Sequence, residues 1–190
     1  MYPRLGSELR IGNMRVRNRI MLAAMGTELC EPDGCCDEPL LAYYEARARG
    51  GTGLVMLETT SVSWPAGASM PRMVGISGES HLPGLQAFAE RMHRHGAMAG
   101  VQLNHCGKVA TEDRVQGRPL LVPSVPHFDK SDMFEALTGA EIASFVGGAS
   151  QPVYQVMTQQ DIDWLVGQFA AAAALAVRAG FDCVEIHAGH

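Results

Sequence analysis

The sequence predicts an α/β fold with a parallel sheet, on three observations: short apolar runs of strand length recur along the chain, helix-patterned stretches separate them, and a glycine follows each helical stretch. The apolar runs are Arg19 to Met25, Leu54 to Thr59, Ala97 to Leu103 and Cys183 to His187. Glu38 to Arg49, Leu82 to His95 and Gln159 to Ala179 carry the helical pattern between them. Gly50, Gly96 and Gly180 stand where those helices should stop, and Thr158 stands where the last should be capped. Strand and helix in alternation are the signature of parallel βαβ units, and nearly continuous apolar strands such as Leu54 to Leu57 suit a sheet covered on both faces. Ahead of the first strand, Leu9 to Ile11 and Met14 to Val16 flank Gly12-Asn13, which predicts a small hairpin closing the bottom of a barrel. The reading is therefore the first half of a TIM (β/α)8 barrel, truncated after strand four, with residues 1–190 forming one partial domain.

Composition narrows the function classes. With 47% hydrophobic and 18% charged residues, the chain belongs with globular proteins that bury a core. A formal charge of -5 leaves no electrostatic footprint for nucleic acid, and the basic cluster Arg91, His93, Arg94 and His95 reads as one helix end. No nucleic-acid partner is expected. No membrane association is expected either, since Met1 to Arg10 carries charges and Phe169 to Val177 is too short and alanine-rich to span a bilayer. Cys30, Cys35, Cys36, Cys106 and Cys183 lack paired C-x-x-C spacing, which points away from a disulfide framework or a structural metal site and toward reduced thiols in the cytoplasm.

The third strand is followed by more than 50 residues, Asn104 to Met157, before the next helix. A stretch that long inside a compact domain reads as a functional loop such as an active-site lid. In a parallel barrel the chemistry sits at the carboxyl ends of the strands. Those ends are polar here: Ala24-Met25-Gly26-Thr27, Glu58-Thr59-Thr60, Gln102-Leu103-Asn104-His105 and His187-Ala188-Gly189-His190. Alternation along a strand puts Glu185 and His187 on one face, and Ala188-Gly189 permits the turn that lets His190 join His187. Zinc is the main rival use of that histidine pair, with a third ligand from His105, Glu185 or a missing segment.

These strand ends also carry a family resemblance. Arg17-Asn18-Arg19-Ile20 leading into Ala24-Met25 resembles the first strand of the Old Yellow Enzyme family, especially its 2,4-dienoyl-CoA reductase-like branch. Val101 to Lys108 (VQLNHCGK) resembles that family's third-strand motif, and Ala179 to His190 (AGFDCVEIHAGH) its fourth. The resemblance implies an FMN-dependent oxidoreductase that takes reducing equivalents from NADH or NADPH and reduces the C=C bond of an α,β-unsaturated carbonyl or enoyl-CoA-type substrate. It further implies that Ala24, Met25 and Gly26 lie along the flavin ring, that Thr59 approaches the ring, and that Gln102 bonds its pyrimidine part. His187 and His190 would hold the substrate carbonyl. Many relatives carry a hydrogen-bonding side chain at the position of Gly26, so here either the Thr27 hydroxyl or a backbone amide substitutes, or the flavin is tuned differently.

The tyrosine acid of relatives, the loops of strands seven and eight that bind phosphate, and any iron–sulfur cysteines would lie beyond His190. A half barrel leaves its first and fourth strands unpaired, which predicts a homo-oligomer or pairing through the open edges, FMN binding by the chain alone that is weak if it occurs at all, and activity expected of the parent enzyme rather than of the isolated half. Two other readings stand beside this one: a non-catalytic half-barrel module that assembles with another chain, and a metal-dependent barrel hydrolase or lyase using His187, His190 and Glu185.

Overall fold

The computed structural model describes residues 2–126 and 152–189. The chain opens with the expected hairpin. β1 (Leu9–Ile11) pairs antiparallel with β2 (Met14–Val16), with Leu9 opposite Val16 and Gly12 at φ 57°, a left-handed conformation that glycine adopts without steric cost. β3 (Met21–Leu22), β4 (Leu54–Ser61), β6 (Met98–Asn104) and β9 (Cys183–Ile186) then form a parallel sheet in that spatial order. β5 (Val74–Gly75) adds a short pairing at the end of β4. Between the sheet strands run α1 (Glu38–Arg49), α2 (Leu82–Arg94) and α4 (Gln159–Ala179), the last closed by a capping box in which Thr158 and Asp161 satisfy each other's backbone N–H groups. Parallel neighbours in sequence order are the opening half of a (β/α)8 barrel, as the alternation predicts.

Alternation divides each strand between two environments. Val55, Leu57, Val101 and Leu103 face the helices and join Leu40, Tyr44, Leu85, Phe88 and Leu175 in the main core. There the Phe88 ring stands 5.2 Å from Tyr44 and 5.5 Å from Phe181. The opposite face carries Leu54, Met56, Met98 and Cys183, which pack with Val16 and Leu9 of the hairpin and so close the barrel floor. Gly100 belongs to this layer: a Cβ there would stand 2.6 Å from the Met56 sulfur and 2.9 Å from the Cys183 sulfur.

Arg17 and Asn18 have a structural purpose at that floor. The Arg17 guanidinium donates to the carbonyls of Ala48, Thr52 and His95, and so serves the carboxyl ends of α1 and α2 at once. Asn18 donates to Gly51 O while its own Oδ1 accepts from the Ile20 N–H. Gly51, not Gly50, takes the left-handed conformation after α1; Gly96 and Gly180 take it after α2 and α4.

The first strand is shorter than its apolar run suggests. Only Met21 and Leu22 pair with β4, because β3 has a single neighbour among the described residues and the chain is drawn away by Thr27, which bonds to Glu58. The long stretch after β6 contains α3 (Thr111–Val115) and two short strands, β7 (Leu120–Val122) and β8 (Tyr154–Val156), paired parallel to one another. By length and composition alone α4 could cross a membrane. It buries Ala172, Leu175, Ala176 and Ala179 in the protein. Both sheet edges are uncovered among the described residues: Met21 is 45% exposed on β3, and Ile186 is 65% exposed on β9.

Candidate functional site

Above the apolar floor the inner face turns polar. Register sets Thr59 opposite Gln102 and Gln102 opposite Glu185, so three neighbouring strands contribute one polar residue each to a single layer. The Thr59 hydroxyl donates to Gln102 Oε1 at 3.0 Å, and Gln102 Nε2 donates to Glu185 Oε1. Each is half-buried. A primary amide can make four hydrogen bonds and two are used here, so Gln102 retains one donor and one acceptor, held in a fixed orientation.

Beside this layer lies the end of β3. Ala24 packs on the floor cluster, whereas Met25 and Gly26 are exposed. A Cβ at Gly26 would collide with the terminal methyl of Met70, so the thioether occupies the space that a side chain at this position would need. Thr27 turns back into the protein. Its N–H and its hydroxyl both donate to Glu58 Oε2, at 3.0 and 2.6 Å, so both of its donors are committed within the protein.

Glu58 is fully buried. A β-bulge between Leu57 and Thr59 removes it from the strand pairing and aims it at α1, where the Tyr44 hydroxyl donates to the same Oε2 at 3.1 Å and accepts the Glu58 N–H. Burial pushes the Glu58 carboxyl above the usual carboxylate range, against the pull of the Thr27 and Tyr44 donors. The same burial, with Glu58 beside it, raises the Tyr44 hydroxyl.

His187 follows β9, half-buried, with its backbone N–H on Leu103 O at 2.9 Å. Gly189 lies over its ring, 3.4 Å from Cε1 as measured from an added Cβ, so the chain does turn after the strand. His190 lies outside the described residues. His105 is elsewhere: its buried ring packs against Gly67 and its Nδ1 accepts from the Gly107 N–H. Asp113 locks the same corner by accepting from Gly67 N and pairing with Arg118. Among the described residues no group of three His, Cys, Asp or Glu side chains is arranged to hold a metal ion. Burial pushes the Cys30 thiol up to about 12, and burial together with Asp33 pushes that of Cys35 up to about 11, which disfavours the thiolate at both.

Residues 6–190 match the NADH:flavin oxidoreductase / NADH oxidase family. The chain belongs to that family. An NADH oxidase of Thermoanaerobacter brockii is 34% identical over 190 residues, all of this chain and 26% of that protein. An NADPH dehydrogenase of Halalkalibacterium halodurans is 31% identical, over 100% of this chain and 49% of its own length. The Old Yellow Enzyme from Pichia sp. AKU4542 superposes with a TM-score of 0.79 at 25% identity, covering 97% of this chain and 45% of that one. The chain thus spans about half the length of that dehydrogenase and about a quarter of the NADH oxidase.

The resemblance read from three strand-end motifs therefore holds, and so does the barrel. For this flavin oxidoreductase family member, the residue the sequence passed over is Glu58. It stands among polar strand-end residues in the sequence, without a partner. The available signal was a carboxylate directly following the apolar run Leu54 to Leu57, since a buried charge must be paired. The bulge and the Tyr44 contact carry no such signal.

Proposed function

We propose that the chain supplies the flavin-orienting half of an FMN-dependent NAD(P)H oxidoreductase that reduces the C=C bond of an α,β-unsaturated carbonyl or enoyl-CoA-type substrate. The observation that carries this reading is the Thr59–Gln102–Glu185 layer beside the exposed Met25-Gly26 backbone. Gln102 keeps one donor and one acceptor at a half-buried position over an apolar floor, which fits the alternating donors and acceptors of a flavin pyrimidine edge. Ala24, Met25 and Gly26 would line the ring through their backbone, with Thr59 holding the Gln102 amide in its orientation.

When bound, FMN supplies hydride-transfer chemistry with NADH or NADPH as reductant; the protein contributes orientation and charge stabilisation. His187, joined by His190, would hold the substrate carbonyl oxygen as negative charge gathers on it, the duty of an oxyanion hole. Free thiols at all five cysteines suit a reducing, cytoplasmic setting.

The test is an FMN titration followed by quenching of flavin fluorescence, on the chain and on its Gln102→Ala variant. Weak, saturable binding that the variant loses supports the reading. Equal behaviour of the two proteins, or no binding by either, sinks it.

A second reading draws on a separate observation, the apolar exposure of both sheet edges. In it the half barrel assembles through β3 and β9 with another chain and turns nothing over. It predicts a tight complex whose absorbance is unmoved by NADPH and an enone.

A further inference from the structure

Glu58 is the only ionisable residue of β4, and burying it there has a cost that an apolar residue would avoid. Its arrangement indicates what that cost supports. Leu57 pairs with Val101 and Thr59 with Gln102, so the bulge leaves Glu58 without an opposite residue on β6. The Tyr44 oxygen accepts the N–H that the bulge releases. Oε2 then gathers three donors, two of them from Thr27. Oε1 is buried with no partner among the described residues, so the carboxyl is directed at Thr27 at the expense of its own second oxygen.

Thr27 in turn controls a strained segment. The next residue, Glu28, sits at φ 55°, the left-handed region that non-glycine residues enter at a cost. The Thr27 hydroxyl also accepts the Leu29 N–H at 3.3 Å, so this one side chain spans the turn. On the other side of Thr27 is Gly26, which has no Cβ to restrict its backbone. Strain of this kind persists only where the surroundings over-determine it. Here the determinants are the Glu58 carboxyl and the Thr27 hydroxyl.

We propose that Glu58 is a positioning residue which, through Thr27, holds the Gly26-to-Leu29 turn in one conformation and so preorganises the first-strand backbone for the flavin ring. The role rests on the flavin reading above. It deepens that reading by naming the device that replaces side-chain control at position 26: a clamp from the neighbouring strand fixes the backbone.

The experiment uses the whole chain and the variants Thr27→Val and Thr27→Ser, with far-UV circular dichroism to verify folding. Two quantities are read: FMN affinity by fluorescence quenching, and hydrogen–deuterium exchange of the backbone amides of residues 27–29 in the FMN-free protein. Thr27→Val removes the hydroxyl's bonds to Glu58 and to the Leu29 N–H, each worth about 0.5–1.5 kcal/mol net, so a change of about tenfold in an equilibrium constant is the scale expected. Thr27→Val should therefore weaken FMN binding by about tenfold and speed exchange in the turn, and Thr27→Ser should restore both. Fast exchange in Thr27→Val with unchanged FMN affinity makes the clamp merely structural and overturns the proposal, as does unchanged exchange. A wild-type chain that takes up no FMN overturns the flavin reading and this role together, which separates that failure from the other two.

Discussion

Thr59 and Gln102 face each other across β4 and β6, the threonine hydroxyl 3.0 Å from the amide oxygen, and this contact decides which way the glutamine presents its remaining donor and acceptor. Thr59→Val removes the orienting bond and leaves the shape nearly intact. The expected outcome in the FMN titration is a loss of affinity smaller than that of Gln102→Ala, in the range of about three- to tenfold for one neutral hydrogen bond. Equal losses in the two variants would place Thr59 in direct contact with the ligand.

Glu58 makes stability depend on pH. Its folded-state carboxyl is raised by burial, so the folded protein holds its proton more tightly than the unfolded chain does. The contribution is fully present below the ordinary carboxylate range and is lost as pH rises through the raised folded value. Glu8, Glu38, Glu45, Glu79 and Asp161 are lowered by their partners and act in the opposite sense, so the wild type alone does not isolate the effect. Urea unfolding of wild type and Glu58→Gln across the mildly acidic range isolates it: the wild type should lose stability relative to the variant as pH rises.

Arg17 joins the carboxyl ends of two helices at the barrel floor by donating to Ala48, Thr52 and His95. Arg17→Ala leaves three carbonyls to water and should lower the unfolding free energy by about 1–2 kcal/mol, a few hydrogen bonds at a largely exposed group. Arg17→Lys should recover only part of this, since a point charge lacks the fork that reaches three acceptors. Chemical denaturation midpoints measure both.

The open edges make a prediction about association. Ile186 on β9 is 65% exposed and Met21 on β3 is 45% exposed, each on a strand with one neighbour among the described residues. The chain should self-associate in light scattering, and charged residues at both positions, Met21→Lys with Ile186→Lys, should shift it toward monomer. An unchanged mass distribution would remove the edges as the cause.

Gly100 tests the floor. Its Cβ position is crowded by Met56 and Cys183, so Gly100→Val should overpack the layer and destabilise the protein by about 1–3 kcal/mol. Met56→Ala in the same chain should recover part of the loss in thermal unfolding.

The amino-acid order alone determined the βαβ succession, the hairpin around Gly12-Asn13, the three helix stops, and the family, because period, glycine placement and strand-end motifs are local properties. The tertiary structure decided the rest. Register across three strands made Thr59, Gln102 and Glu185 one layer, and pairing between distant segments carries no local mark. The bulge turned Glu58 toward Tyr44 and Thr27, residues 14 and 31 positions away, and so shortened β3 and committed the Thr27 hydroxyl. His105 lies near Gln102 in sequence, yet packing against Gly67 took it to a different corner. In each case the deciding interaction closes a long loop, and its energy exists only once the sheet has formed.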